Sequence, residues 1–367
     1  MSKRSNVKST ALETQVSLDR DGWPAVAGQI MTRYGLVIIL VLLAGVFCLT
    51  APEFCSILTV QAILSTQTII AILALAAVLP MIVGKIDLNV GFGIILWHII
   101  AVSLQVNHHV PWPVASLVVM LLAAVFGLLN GILVAVADID SFVATLGSGT
   151  VVYALALWYT GGQQVIGDLP ASYTNLNNAL LFGLPLPTYY IAVLAVVLWL
   201  LTEHTTIGRK MYTVGANPTA AELNGIPTTK YIIWAFVGSS CLTGFAGIIL
   251  GAKLGIGAAS IGQEFLLPAL VGAYLGSTTI KPGRVNVRGT IVGVLVLGVG
   301  IAGLQHFGSA FFIESLFNGG TLLLALVLAG YAQRKKSSQV KRKAAQLVAQ
   351  GPVALQAGCG GEEPPQA

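Results

Sequence analysis

The segment Gly84-Lys85-Ile86-Asp87-Leu88-Asn89-Val90-Gly91 sets a carboxylate and an amide two residues apart, between two long apolar runs. An acceptor and a donor at that spacing can grip neighbouring hydroxyls of a polyol. A glycine-flanked polar break also exposes backbone groups that lipid cannot satisfy. Such breaks are tolerated only where protein buries them or water reaches them. The plain alternative is a surface turn in which Asp87 pairs with Lys85, and pattern alone leaves the two readings even.

A second segment runs Val214-Gly215-Ala216-Asn217-Pro218-Thr219-Ala220-Ala221-Glu222-Leu223-Asn224-Gly225-Ile226-Pro227. Asn217 is a good N-cap, Pro218 fits the first helical turn, and Glu222 carries its charge early in the helix, where the helix dipole favours it. Gly225 and Pro227 end the helix. A short capped helix over about 217–226 is predicted, placed between two apolar runs. It suits docking into a partner's groove, although a linker helix touching only its own chain is the simpler reading of the residues alone. A third segment, Leu275 to Thr290, is a glycine-rich turn with Lys281, Arg284 and Arg288.

Other chemistry is missing. There is no Gly-x-x-x-x-Gly-Lys-Ser/Thr phosphate loop, so the chain does not bind ATP in that way. There is no His-Glu-x-x-His and no Cys-x-x-Cys, and the adjacent His108-His109 pair makes a poor chelate. No metal, cofactor or catalytic set is expected. Glu264 and Glu314 fall near the ends of apolar runs. The buried ionisable group that a proton-coupled carrier or an intramembrane enzyme requires is therefore not evident. Cys48, Cys55, Cys241 and Cys359 show no metal spacing. Cys48 sits in an apolar run and Cys359 in a polar tail, so no disulfide framework is expected.

The elements that must position these residues are membrane spans. Of 367 residues 56% are hydrophobic and only 9% charged, against about 25% charged in soluble domains. Most of the surface must therefore face something other than water. About 20 apolar residues cross the bilayer core, and the apolar runs predict about ten transmembrane helices. These cover 34–50, 66–84, 92–107, 113–137, 142–160, 187–202, 231–252, 264–278, 289–306 and 311–331. With both termini inside, eighteen of the nineteen Lys and Arg residues fall on the inner side, and Lys253 alone falls outside. That asymmetry follows the positive-inside rule. It explains the net charge of +5 better than nucleic-acid binding does. The expected organisation is a cytoplasmic lead-in over 1–33, a transmembrane domain over 34–332 and a disordered cytoplasmic tail over 333–367. Asp21-Gly22-Trp23-Pro24 in the lead-in suits a short interfacial helix, and the basic tail suits contact with membrane lipid.

Three motifs resemble permease subunits of the ribose/xylose-type bacterial ABC sugar importers, over roughly residues 34–332. Ile86-Asp87-Leu88-Asn89-Val90-Gly91 resembles that family's Gly-Ile-Asp-Leu-Ser-Val-Gly. Ser141-Phe142-Val143-Ala144-Thr145-Leu146-Gly147 resembles its Pro-Phe-Ile-Val-Thr-Leu-Gly. The run from Gly208 through Pro218 to Ile226 resembles its main cytoplasmic loop. Lys85 stands where the family often has glycine, Asn89 replaces a common serine, and Leu275-Gly276-Ser277-Thr278-Thr279 replaces Leu-Gly-Gly-Thr-Ser.

The resemblance implies an all-α permease of the type II ABC importer kind in a bacterial inner membrane. It would work as a homodimer with its pathway at the dimer interface. ATP-binding cassette ATPase subunits would dock on the inner face, and a periplasmic solute-binding protein would deliver a monosaccharide or small polyol. It also implies that Asn217, Pro218, Ala220, Ala221, Glu222, Leu223 and Gly225 form the coupling helix. Asp87, Asn89, Thr145 and Ser148 are the substrate-pathway candidates. The competing expectations are the same machinery for a branched-chain amino acid, nucleoside or signalling molecule, and an ion-driven secondary carrier.

Overall fold

The computed structural model describes residues 22–306, 308, 312–324 and 327, with side chains described from residue 34. The expected tail over 333–367, residues 1–21 of the lead-in and part of the expected span 311–331 lie outside the described residues.

The first helix, α1 (Gly22–Thr50), is continuous over 29 residues, where the sequence predicts a short interfacial helix followed by a separate span. A 3-10 turn at Pro52–Cys55 leads into α2 (Ile57–Ile82), followed by α3 (Asn89–Val106), α4 (Trp112–Ala135) and α5 (Ser141–Thr160). A compact connection then holds β1 (Val165–Ile166), α6 (Ala171–Asn178), β2 (Leu180–Leu181) and β3 (Leu184–Pro185). Next comes α7 (Leu186–Trp199), which runs on through a π-helical turn to His204, then α8 (Thr206–Ala216), α9 (Pro218–Leu223) and α10 (Thr228–Leu254). The described chain closes with β4 (Ile256–Gly257), α11 (Leu266–Gly276), α12 (Val287–His306) and α13 over 313–324. β4 pairs antiparallel with β1, with Val165 opposite Gly257, and β2 pairs with β3.

Seven helices are long and apolar enough to cross a membrane: α2, α3, α4, α5, α7 with its π turn, α10 and α12. Tyr34–Thr50 within α1 is apolar but shorter. The stretch 264–278 departs from its expectation as a full span. Its helix, α11, has 11 residues, or about 16 Å at 1.5 Å per residue, roughly half of the ~30 Å hydrocarbon core. The ten spans read from sequence count this half-length helix, the short part of α1 and the partly described 311–331 as crossings.

The lipid-facing pattern is plain on α4. Val114, Leu117, Leu121, Val125, Leu128 and Ile132 are exposed at helical spacing, while Ala115, Val119, Ala123, Gly127, Asn130 and Val134 are buried. The large apolar side chains face outward and the small residues face inward. Between membrane helices burial from water drives nothing, so close packing through small residues does the work. At Gly127 a Cβ would sit 2.7 Å from the Phe236 carbonyl oxygen of α10. α3 and the part of α2 from Gln67 onward, by contrast, are enclosed on nearly all sides and carry the core with α10. Tyr173 of α6 plugs into that core, its hydroxyl donating to the Ile248 carbonyl at 2.9 Å.

The structure corrects the cysteine expectation. The 3-10 turn after α1 folds back and brings Cys55 to Cys48, with Cα atoms 5.4 Å apart, in a disulfide. Cys241 is free.

Candidate functional site

Three stretches of irregular backbone lie among the helices, and a buried polar side chain ties each one down. Residues 83–88 separate α2 from α3. Here Asp87, 1% exposed, accepts the Asn89 N–H at 2.9 Å through Oδ1 and the Ser239 hydroxyl of α10 at 2.8 Å through Oδ2. α5 supplies two more hydrogen bonds. Ser141 Oγ accepts the Ile86 N–H at 3.1 Å, and Thr145 Oγ1 accepts the Leu88 N–H at 3.0 Å. Two of these contacts, from the Asn89 N–H and the Ser239 hydroxyl, reach the carboxylate and offset part of the cost of burying it; the other two satisfy the backbone of the break.

The second stretch, 255–265, passes alongside α3 before α11 begins. His98, fully buried, accepts the Ala258 N–H at 3.1 Å through Nε2, and its Nδ1 lies 3.0 Å from the Ile94 carbonyl. That pair of partners assigns the Nδ1–H tautomer. In the third stretch, 277–286, the buried Asn286 amide donates to the Gly276, Thr279 and Arg284 carbonyls. Its Oδ1 accepts the Gly289 N–H at 2.8 Å.

Of the four pathway candidates, Asp87, Asn89 and Thr145 therefore meet in one buried cluster. Ser148 sits one turn further along α5, half-buried, its hydroxyl donating to the Thr145 carbonyl at 3.4 Å. The Asn89 side-chain oxygen is buried with no hydrogen-bond partner among the described residues. Sequence reasoning missed Ser239, His98 and Asn286. For Ser239 and His98 the signal was a polar residue in an apolar run, and for Asn286 a polar residue in a glycine- and arginine-rich turn; neither identifies a partner.

The basic end of the molecule carries the capped helix. The Asn217 side chain accepts the Ala220 N–H at 3.0 Å, as the N-cap reading predicts. Gly225, at φ +73°, turns the chain back, and the Ile226 N–H reaches the Ala221 carbonyl at 3.0 Å. α9 is six residues long, shorter than the helix predicted over about 217–226. Ala221 is buried and Glu222 accepts the Thr228 hydroxyl, while Leu223 projects with 85% of its surface exposed.

α8 connects this helix to the interior. Gly215 lies so close to the end of α2 that a Cβ there would fall 2.1 Å from the Ile82 carbonyl oxygen. Tyr212 donates to the Val285 carbonyl at 2.8 Å, with the Arg284 guanidinium stacked 3.4 Å over its ring. Burial holds the Tyr212 phenol above its usual pKa, so it remains a neutral donor. Glu203, at the end of α7, accepts Lys281 Nζ at 2.7 Å and Arg288 at 3.1 Å, and Trp199 Nε1–H at 3.2 Å. Two of the basic residues read as topology signals thus also bind to the end of α7, Lys281 from the third stretch and Arg288 from the first turn of α12. Among the described residues no group of three or more His, Cys, Asp or Glu comes together that would hold a metal ion.

Apolar spans, backbone breaks clasped inside the protein and a capped helix projecting from one end define a multi-pass membrane protein of the permease class. The chain belongs to the family described as branched-chain amino acid transport system / permease component, whose model matches residues 59–327. It is 26% identical over 312 residues to a ribose import permease protein of Haemophilus influenzae, covering 84% of this chain and 96% of that one. It is 30% identical over 308 residues to an autoinducer 2 import system permease protein of Yersinia enterocolitica, covering 81% and 92%. Identity to an L-arabinose ABC transporter permease protein of Azospirillum brasilense is 29% over 311 residues, covering 84% and 90%. No solved structure matches the chain.

Proposed function

We propose that this chain is the membrane-spanning subunit of an ATP-binding-cassette importer that carries a monosaccharide or small polyol across a bacterial inner membrane. The observation that carries this reading is the set of relatives named for ribose and L-arabinose import, matched over 96% and 90% of their own lengths. The subunit crosses the membrane about ten times, with both termini in the cytoplasm and its basic end inside. The Cys48–Cys55 disulfide then lies at the outer side, where oxidising conditions keep it formed. Two copies form the pathway between them, a periplasmic binding protein delivers the solute, and ATP hydrolysis takes place in separate ATPase chains.

Coupling starts at α9. Leu223 fits a groove on the ATPase as an apolar anchor. Movement of α9 passes to α8, and Gly215 transmits it by direct backbone contact to the end of α2 and the break held by Asp87. Tyr212 passes it to the 277–286 stretch. Asp87, Asn89, Thr145 and Ser148 then form the inner hinge of the pathway, where α3 moves against α5.

The test is uptake of labelled solute by cells expressing the full importer, challenged with an unlabelled sugar panel. Competition by at least one monosaccharide is expected. Failure of every sugar to compete moves the assignment to a non-sugar solute such as a branched-chain amino acid, which the family description favours, or a nucleoside or signalling molecule. Gradient-driven uptake by the chain alone would make it an ion-driven carrier.

A further inference from the structure

Away from the Asp87 break, a groove of about 460 Å³ opens between α2, α12 and α13. That volume is in the range of small-molecule sites. Its polar lining is Thr59, Thr66, Gln67, Gln305, His306 and Glu314. Thr59 to Gln67 spans eight residues of α2, and His306 back to Gly298 spans eight of the antiparallel α12. Each is about 12 Å of helix. The groove therefore descends from the helix ends at its rim to a floor where Gln67 lies against Gly298. A Cβ at Gly298 would sit 2.5 Å from Gln67 Cγ, so the glycine is what makes room for this amide.

Gln67 is 5% exposed, and its Oε1 has no hydrogen-bond partner among the described residues. A buried acceptor of this kind bears its full desolvation penalty until something donates to it. The other polar groups include two further amide or carboxylate acceptors, two hydroxyls and an imidazole. Of these, Thr59 also bonds the start of α2 through Ser56 and the Glu53 carbonyl, and His306 packs edge-on against Phe54. Ile63 and Ile301 add apolar surface among them.

We propose that this groove is a binding site for an uncharged polyhydroxylated solute, taken up by the permease after delivery from outside. The proposal rests on the import reading above. Amide and carboxylate oxygens accept from vicinal hydroxyls, the Nε2 amide groups of Gln67 and Gln305 donate to hydroxyl and ring oxygens, and the isoleucines face the C–H surface of the ring. Among the described residues no Lys or Arg lines the groove; Lys253, whose ammonium donates to the Ser65 carbonyl at 3.1 Å, is not part of the lining. An anionic solute such as a sugar phosphate or an organic acid would meet the Glu314 carboxylate and no lining Lys or Arg among the described residues, so the site favours neutral ligands.

The test uses the complete importer in proteoliposomes, reading both labelled-sugar uptake and ATP hydrolysis stimulated by the loaded binding protein. Gln67→Leu and Glu314→Leu are each expected to lower uptake per ATP about tenfold, as the loss of one well-placed hydrogen bond does, with hydrolysis within about twofold of wild type. Ala62→Phe, which narrows the groove at its exposed wall, is expected to give the same split without touching a buried polar group. If the wild type imports a neutral sugar and all three variants import it at the wild-type ratio, the site is wrong. Parallel loss of uptake and hydrolysis in Ala62→Phe also overturns it, because the groove would then be part of the frame. If the wild type imports no sugar of the panel, the import reading fails instead.

Discussion

Asp87, His98 and Asn286 each hydrogen-bond at least one backbone group that no helix satisfies, and this sets their expected behaviour on substitution. Asn286→Ala removes donors to three carbonyls and the acceptor for the Gly289 N–H. Its expected cost is about 1–3 kcal/mol, the penalty for buried groups left unpaired, read as a fall of several degrees in the thermal midpoint in detergent. An unchanged midpoint would show that water replaces the amide. His98→Leu leaves the Ala258 N–H bare and should destabilise comparably, whereas His98→Gln, which keeps an acceptor, should recover part of the loss. Asp87 was legible in the sequence because glycines flank it in a polar break. His98 was not, since its partner lies 160 residues away and a lone histidine in an apolar run carries no spacing signal. Asn286 sits in a glycine- and arginine-rich turn whose charges drew the eye to topology.

The short helix α9 was readable at the level of an element, because capping is local: Asn217, Pro218 and Gly225 specify it without reference to the rest of the fold. α11 was not, because its length is set by the irregular 255–265 and 277–286 stretches on either side, whose backbone is satisfied by α3 and by Asn286. Hydropathy records the apolar character of such a segment and misses where the helix starts. Leu223→Asp should leave the fold intact, since 85% of that side chain is exposed, and should release the ATPase from the complex on size-exclusion chromatography. Retention of the ATPase at wild-type stoichiometry would remove α9 from the interface. Gly127→Leu should act in the opposite way. It forces α4 off α10 where a Cβ already lacks room, at a cost of about 1–3 kcal/mol of overpacking, seen as reduced membrane yield and a lowered midpoint.

On the scale of the whole molecule, charge and covalent chemistry sort to opposite ends. Arg209, Lys210, Lys281, Arg284 and Arg288 gather where α8 and α9 lie. The disulfide precedes α2, whose far end meets Gly215 of α8, and β1, paired with β4, follows α5, which starts at the Asp87 break. In a background lacking Cys241 and Cys359, Phe182→Cys, at a position 93% exposed, should react with a membrane-impermeant maleimide in intact spheroplasts. Leu223→Cys should react only after permeabilisation, and the reverse pattern would invert the topology. The central claim is that energy enters through a separate ATPase docked at α9. Its most direct measurement is uptake by proteoliposomes holding the complex purified from native membranes in mild detergent, with ATP supplied on the α9 side. The account predicts a copurifying ATPase near one-to-one stoichiometry and uptake that stops without ATP. A partner-free chain that still concentrates solute down an ion gradient would contradict it.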